Sequence, residues 1–231
     1  APPRPAPLPE IGPEVLAALQ TVAVSRPADR VLLFALASRE SRFDADARNP
    51  ASSARGLMQF TRSTWLEVVR DHGPAHGLGA EAAALATDPD SGEISARDPS
   101  VLAAILALRD DPFLSTAMAM ARIERERAPL ARLLGREVTE ADLYLVHFLG
   151  PLGARRFLRE MARAPSRRAS DIVGAEALEA NRSVFVTRKG RHLSLGQVHA
   201  GVRGGLRAQA ALHARLLERD VQRMVQVAEA R

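Results

Sequence analysis

The sequence predicts a mainly α-helical fold, and three observations favour it. Ala, Leu and Arg, all strong helix formers, are abundant in the 231-residue chain. Apolar residues recur with helical spacing over most of its length, and prolines or glycines stand where helices should begin or end. Only one stretch, around Lys189-Gly190, alternates like the strands of a hairpin. We therefore expect helices throughout, with at most a small hairpin.

Pattern changes along the chain predict three segments. Residues 1–13 contain six prolines and are predicted to be a proline-rich N-terminal tail. Residues 14–165 carry the motifs described below and should form the main domain, followed by a helical C-terminal extension over residues 166–231. The chain begins with Ala1 and not Met, so we expect that an export signal or upstream region has been removed.

Two helices are predicted in the first forty residues. Pro13 starts the first, which runs to about Ala23. Pro27 starts the second, whose apolar residues cover it nearly all round until it ends near Glu40. Asp, Asn and Ser then dominate residues 41–55, which are predicted to be a loop.

The middle of the chain alternates between helices and polar loops. Thr61 or Ser63 caps a third helix that stops at Gly73-Pro74. Residues 87–99 are predicted to be a long polar loop. Their spaced aspartates resemble a calcium loop, but the glycine falls a place early and no glutamate closes the pattern, so a solvated loop is the better interpretation.

Helices continue to the C-terminus. Asp-Pro steps at 98–99 and 111–112 open two of them, the second ending before Gly135. A capping box at 139–142 opens the next, and a further helix follows the Gly-Pro step at 150–151. A short helix from Asp171, the hairpin-like stretch and a long helix from Ser194, interrupted at Gly204-Gly205, complete the expected order.

Composition excludes several classes of function. The net charge of +5 is spread along the chain, without the basic patch of a nucleic-acid-binding protein, so we expect no nucleic-acid partner. The absence of cysteine excludes disulfides and thiol chemistry. No apolar run is long enough to span a membrane. No His, Asp or Glu spacing suits a metal, and we expect neither metal nor cofactor.

Glu40 is the strongest candidate for chemistry. It ends an almost wholly apolar helix, where desolvation and the negative end of the helix dipole should both raise its pKa. At a pKa of about 4.3 roughly one glutamate in 500 is protonated at pH 7, against roughly one in ten at a pKa of about 6. A glutamate tuned this way is a general acid. Alternatively, Glu40 is an exposed helix end paired with Arg39 or Arg42.

The stretch "RGLMQF" at residues 55–60 is the second candidate. Its glycine permits close backbone approach, while Met58 and Gln59 combine a soft apolar wall with an amide that donates and accepts hydrogen bonds. Such a surface suits a sugar. Taken alone, the stretch also fits a core methionine followed by a surface glutamine.

Glu40-Ser41 after an apolar helix, a polar loop, and then Gly56-Leu57-Met58-Gln59 resemble the "ES...GLMQ" signature of the soluble lytic transglycosylase (SLT) family, which has a lysozyme-like fold of the goose type. The resemblance covers roughly residues 28 to 160. The resemblance implies that residues 14–165 are a lytic-transglycosylase-like catalytic domain.

The family's third motif, a tyrosine followed by Asn-Ala-Gly, is replaced here by "LYLVHFLG". His147 takes the place of the tyrosine and Phe148 that of the asparagine, a variation similar to a phage-type or flagellum-associated branch. Tyr144 lies one helical turn before His147 on the same face, so either ring could meet the sugar. A histidine of the core is the other interpretation of His147.

The resemblance implies a peptidoglycan lytic transglycosylase acting on glycan strands. Glu40 would protonate the β-1,4 bond between N-acetylmuramic acid (MurNAc) and N-acetylglucosamine (GlcNAc), then deprotonate the muramyl 6-hydroxyl to give a 1,6-anhydro product. The implied substrate-binding residues are Ser41, Gly56, Leu57, Met58, Gln59, Phe60, Tyr144 and His147.

Two alternatives stay open for the activity. A hydrolytic muramidase of the same fold would use Asp44 or Asp46 to position water, and a wall-binding or scaffold module would keep the fold without the activity. We expect a monomer that acts in the periplasm or cell envelope after export, or that a phage delivers to the wall. The proline-rich start and Arg-rich last helix could dock onto a flagellar or secretion machine, or serve as tether and packing helix.

Overall fold

The computed structural model describes residues 9–22, 27–180 and 182–229, and it confirms the mainly α-helical fold. The predicted tail lies mostly outside the described residues. The helices in chain order are α1 Pro13–Val22, α2 Pro27–Glu40, α3 Arg62–His72, α4 Gly79–Ala84, α5 Pro99–Ala107, α6 Pro112–Leu134, α7 Glu140–Arg163, α8 Ala175–Ala180, α9 Arg182–Phe185 and α10 Leu195–Glu229. Short 3-10 segments lie at Gly73–His76, Leu108–Asp110 and Ala169–Asp171.

Helix α2 is the central element of the fold. It contacts α1, α6, α7 and α10, so it is surrounded by other helices. Leu32, Leu33, Phe34 and Leu36 are all 0% exposed, as the nearly continuous apolar run predicts. Because the helix is enclosed on several sides, its C-terminal residue emerges at a fixed place between α7 and the following loop.

A two-stranded antiparallel sheet lies where the sequence predicted only a polar loop. Strands β1 Leu85–Thr87 and β2 Ile94–Ala96 pair with Leu85 opposite Ala96. The Asp88 side chain accepts hydrogen bonds from the backbone N–H groups of Asp90 and Ser91, at 3.0 and 2.7 Å, and so folds the turn. Strands of three residues are too short to show an alternating pattern, which is why the prediction was wrong here.

The hairpin expected around Lys189-Gly190 is reduced to a single bridge between Val186 and His192. Gly190 closes its turn at φ +79°. Residues Arg182–Phe185, which precede the turn, form helix α9 and not a strand. Phe185 is fully buried, so packing of this aromatic ring determines the local conformation more than strand propensity does.

Helix α10 is continuous, and the predicted interruption at Gly204-Gly205 is wrong. Each glycine disfavours helix by about 1 kcal/mol, which tertiary packing of a long helix can outweigh. Val198, Leu206 and Leu216 of α10 are buried in the same hydrophobic cluster as α2 and α7. The His213 ring lies 5.1 Å from that of Phe34. The described part of the C-terminal extension therefore packs directly on the rest of the chain.

Helix α7 bends one turn after His147. The capping box predicted at its start is present, with Thr139 and Asp142 each bonded to the other's backbone. Gly150 leaves the helical conformation at φ 68° and ψ 169°, and Pro151 follows it. Proline has no N–H for the carbonyl four residues earlier, which in this helix belongs to His147. The kink therefore ends the regular part of α7 directly beside the candidate site.

Candidate active site

Glu40 is the last residue of α2 and lies at the edge of a cavity of about 250 Å³. Its side chain is 23% exposed. The cavity lies between α2, α3, α6, α7 and the segment before α3. Its lining residues are Glu40, Met58, Gln59, Phe60, Thr61, Thr64, Arg122, His147 and Phe148.

The loop from Ser41 to Thr61 is held in place by arginines that the sequence analysis did not single out. Arg55 donates to both carboxylate oxygens of Asp110. Arg109 donates to the carbonyls of Ser53 at 2.7 Å and Phe60 at 3.3 Å. These contacts fix the loop to the segment Leu108–Asp110, so that the loop returns residues 58–60 to the cavity.

Gly56 provides the close approach that its position in the motif predicted, but to backbone and not to a ligand. A Cβ atom there would lie 1.9 Å from the Arg109 carbonyl oxygen, and its φ is +79°. Its N–H donates to the Ala47 carbonyl at 2.9 Å. Gly56 therefore allows the loop to pack against the segment before α6.

Gln59 adopts a left-handed conformation with φ +49°. Its side-chain amide nitrogen donates to the carbonyls of Ala47 at 3.1 Å and Gly56 at 2.9 Å. Among the described residues no group donates to its side-chain oxygen, which can accept a hydrogen bond from a ligand. The amide is thus fixed by the loop with its acceptor atom available.

The predicted site residues divide into two groups. The structure brings Met58, Gln59, Phe60 and His147 together with Glu40 at the cavity. Four others lie outside the lining: Ser41, Gly56, Leu57 and Tyr144. The Ser41 hydroxyl donates to the Ala37 carbonyl at 3.1 Å and so ends α2. Leu57 is a core residue, 0% exposed.

Tyr144 lines a second cavity, of about 370 Å³, between α2, α7, α9 and α10. Its hydroxyl accepts a hydrogen bond from Arg39 at 3.2 Å. The Arg39 guanidinium carbon lies 5.8 Å from the centre of the Tyr144 ring and 5.6 Å from that of Phe148. The Tyr144 hydroxyl therefore contacts Arg39, and Glu40 acts on it only by its charge, whereas His147 faces Glu40 directly.

A histidine and an arginine flank the Glu40 carboxylate. His147 Nε2 lies 3.4 Å from Glu40 Oε1, and Arg39 Nε lies 3.9 Å from the same oxygen. Burial raises the pKa of Glu40, but the hydrogen bond and charge of His147 and the charge of Arg39 lower it, and the net pKa is below its ordinary value. The raised pKa expected from sequence is therefore wrong for the open cavity, because the prediction left out the histidine.

Asp44 and Asp46 are exposed and lie outside the cavity lining. An Asp44 carboxylate oxygen accepts from the Asp46 N–H at 2.9 Å, which folds a local turn. Among the described residues, Glu40 is the only carboxylate that lines the cavity. The site thus offers one acidic group to a ligand, with a histidine at its side.

Two kinds of site residue were not predicted from the sequence: some that line the cavity and some that hold its loop in place. Thr64 and Arg122 line the cavity, and Phe148, considered only as a replacement in the third motif, lines it as well. Arg122 lies one helical turn after the buried Met118 of α6, and a cation at that spacing is the signal that could have identified it. Asp110 and Arg109, which pin the loop, carry no such signal.

One family model matches the part of the chain that contains Glu40. The family model described as Transglycosylase SLT domain matches residues 20–89, a range that contains Glu40 and residues 56–60. Over these residues the chain is similar to the SLT family. The SLT domain is lysozyme-like, in agreement with the mainly α-helical fold.

The match supports a lytic-transglycosylase type of function with peptidoglycan as substrate. Tyr144, His147 and Arg122 lie beyond the matched range.

Metal binding and membrane insertion can both be examined in the residues that the structure describes. In residues 9–22, 27–180 and 182–229, no group of three or more His, Cys, Asp or Glu side chains is placed to hold a metal ion. None of the helices in the same ranges combines the length and hydrophobicity needed to cross a bilayer.

Proposed function

We propose that this SLT protein is a peptidoglycan lytic transglycosylase that cleaves the MurNAc–GlcNAc β-1,4 bond and releases a 1,6-anhydro-MurNAc end, with Glu40 as the catalytic residue. The observation that carries the proposal is the single carboxylate: Glu40 lines the cavity, while Asp44 and Asp46 lie exposed outside it. Hydrolysis ordinarily uses two carboxylates, the second to attack or to activate water. One carboxylate is sufficient if an internal hydroxyl is the nucleophile.

The proposed reaction proceeds with Glu40 first as acid and then as base. Glu40 gives its proton to the glycosidic oxygen as the bond from that oxygen to the muramyl anomeric carbon breaks, and the muramyl acetamide helps to stabilise the developing cation. The Glu40 carboxylate then takes the proton of the muramyl 6-hydroxyl as its oxygen bonds to the anomeric carbon. The carboxyl group is regenerated and no water is consumed.

His147 and the substrate together account for how Glu40 obtains and keeps its proton. Without a ligand, burial raises the pKa of Glu40, but His147 and Arg39 together lower it by more, so that the net pKa is below its ordinary value. A glycan strand that fills the cavity displaces water and strengthens the burial contribution, which favours the neutral carboxyl group. His147, at 3.4 Å, can share a proton with the carboxylate and hold it in one orientation. We assign His147 as a positioning residue.

The remaining cavity residues have complementary roles in holding sugar. Met58 and Phe60 supply apolar surface, and the Gln59 amide oxygen supplies an acceptor fixed by the loop. A face of a sugar ring is apolar and its edges carry hydroxyl and acetamide groups, so this combination fits an N-acetylated sugar. Ser41, Gly56 and Leu57 act through the loop and the end of α2.

We further propose residues 14–165 as the catalytic unit, with residues 166–231 as an extension whose helix α10 packs on α2 and α7. The substrate places the activity at the bacterial wall, reached by export to the periplasm or by phage delivery.

Product analysis of purified peptidoglycan tests the function. Wild type should release muropeptides with anhydro ends, detected by mass spectrometry, and Glu40→Gln should release none while keeping its thermal stability. Glu137→Gln, which changes an exposed glutamate, is the matched control and should behave as wild type. Reducing ends in place of anhydro ends would mean a hydrolytic muramidase. Binding to peptidoglycan without any cleavage by wild type would mean a wall-binding module.

A further inference from the structure

Arg122 is a cation inside the candidate active site. It lies on α6 and lines the same cavity as Glu40, together with Gln59, Thr61 and Thr64. Its side chain is half-buried. Removal of a guanidinium from water is unfavourable unless an acceptor replaces the lost hydration.

The described residues offer Arg122 no such acceptor. It makes no hydrogen bond or ion pair with any of them, although two carboxylates, those of Glu67 and Glu126, are close enough to influence it electrostatically. Glu126 is bound instead by Arg155, whose Nε donates to it at 3.0 Å. Glu67, on α3, is not within ion-pair distance of Arg122. Burial lowers the pKa of Arg122, and the charges of Glu67 and Glu126 offset this only in part.

Two neighbouring arginines of α6 differ from Arg122 in having carboxylate partners. Arg125 is paired with Asp71 at 3.1 Å, and Arg127 is paired with Asp29 at 2.7 Å. Both lie outside the cavity lining. Arg125 and Arg127 thus have carboxylate partners, whereas Arg122 faces the space where a ligand would lie.

We propose that Arg122 binds a carboxylate of the glycan strand and thereby selects muramyl over N-acetylglucosaminyl residues in the cavity. This inference rests on the proposed function, since it assumes that a peptidoglycan strand occupies the cavity. The muramyl residue differs from N-acetylglucosamine by its lactyl group, which ends in a carboxylate when free and otherwise begins a peptide that carries carboxylates of its own. A guanidinium pairs with a carboxylate through two parallel hydrogen bonds, and a neutral sugar has no group of that kind.

The hydroxyls of Thr61 and Thr64 are suited to support such a pair. They lie 3.0 Å from each other and line the cavity with Arg122. Arg122 is not among the groups that lower the pKa of Glu40, so its charge acts on the ligand without holding the acid deprotonated. Arg122 is accordingly a specificity-determining residue and not a catalytic one.

Binding to the cleavage-inactive Glu40→Gln protein tests the inference without depending on turnover. Isothermal calorimetry would compare Glu40→Gln with Glu40→Gln/Arg122→Gln on three soluble ligands: a chitooligosaccharide, a peptide-free GlcNAc-MurNAc oligosaccharide and its peptide-bearing form. Loss of a charge-assisted pair should weaken binding of a carboxylate ligand by about tenfold or more and leave chitooligosaccharide affinity within about twofold. Arg122→Lys should recover part of the loss.

The two muramyl ligands identify the source of the carboxylate. A loss with the peptide-free strand assigns the free lactyl carboxylate, and a loss confined to the peptide-bearing strand assigns the peptide. Arg125→Gln, the same change one turn along α6, is the control and should bind all three ligands as the parent does. A thermal melt shows whether each variant is folded.

Equal weakening for all three ligands, or no weakening for any, would overturn the inference. If wild type forms anhydro ends and Arg122→Gln binds as the parent does, the inference fails and the proposed function stands. If wild type forms no anhydro ends but the Arg122-dependent preference for muramyl ligands is present, the proposed function fails and the binding site stands.

Discussion

The imidazole Nε2 of His147 lies 3.4 Å from the carboxylate oxygen Oε1 of Glu40, although the two residues belong to different helices, α7 and α2. This contact reverses the direction that burial alone would give the Glu40 pKa. It also distinguishes His147 from Tyr144, whose hydroxyl is bonded to Arg39. The proposed acid is therefore controlled by a neighbour outside the part of the chain that matches the family.

Replacement of His147 by Gln should move the pH dependence of activity towards higher pH. The substitution removes the imidazole whose hydrogen bond and charge lower the pKa of Glu40, while burial continues to raise that pKa. A general acid acts in its protonated form, so activity is lost as the pH rises through its pKa, and a higher pKa moves this loss upwards. Rates of anhydro-product formation between about pH 4 and 8 measure the shift. His76→Gln, at an exposed position, should leave the profile unchanged, and an unchanged profile for His147→Gln would contradict the assignment.

Tyr144→Phe should have little effect on substrate binding, because the ring lines the second cavity and not the one that holds Glu40. The lost hydrogen bond from Arg39 should cost about 1 kcal/mol of unfolding free energy. We expect kcat and KM to stay within about twofold of wild type, since the phenylalanine ring can keep the contact with the Arg39 guanidinium. Steady-state kinetics and denaturant unfolding measure the two effects. A large rise in KM would place Tyr144 at the sugar.

Gly56→Ala should destabilise the protein strongly. The new Cβ would lie 1.9 Å from the Arg109 carbonyl oxygen, so the loop or the segment Leu108–Asp110 must shift. Gly77 has the same φ of +79° but open space around its Cα. Gly77→Ala should therefore cost only the conformational penalty of about 1–2 kcal/mol, and Gly56→Ala clearly more. Urea unfolding measures the free energy of unfolding of both variants. Equal losses would show that a small shift of the loop removes the close contact at little energetic cost.

Asp142 should make stability depend on pH in the acid range. Its buried carboxylate is hydrogen-bonded by His199 at 3.0 Å, by Arg136 at 2.7 Å and by Thr139. Burial raises its pKa, but these hydrogen bonds lower it far more, to well below the ordinary value. A lowered folded-state pKa contributes stability above about pH 4, and this is lost as the pH falls further.

Asp142→Asn should therefore lose roughly 3 kcal/mol of unfolding free energy at neutral pH and show a flatter decline below about pH 4. Thermal or urea unfolding at several pH values measures both. Asp90→Asn, on an exposed turn, is the control and should retain the wild-type dependence. A decline of the same steepness in Asp142→Asn would assign the acid sensitivity to other groups.

Much of the fold was predictable because helix signals are local. Proline at helix starts, glycine after Leu134 and the Thr139–Asp142 capping box act within a few residues, and each gave a correct boundary. The three-residue strands β1 and β2 were missed because they are too short for a periodic pattern. The continuity of α10 was missed because burial of Val198 and Leu206 against distant helices offsets the glycines.

The sequence by itself determined that an apolar helix ends on Glu40 and that a polar loop separates it from residues 56–60, since hydrophobic periodicity and turn residues specify both. Only the tertiary structure decided which side chains meet the carboxylate. The packing of α7 on α2 brings His147 to Glu40 and directs Tyr144 to Arg39, and α6 adds Arg122 to the cavity. Charges and hydrogen bonds act over a few ångströms in space, so the pKa of Glu40 depends on neighbours that its own stretch of sequence does not contain.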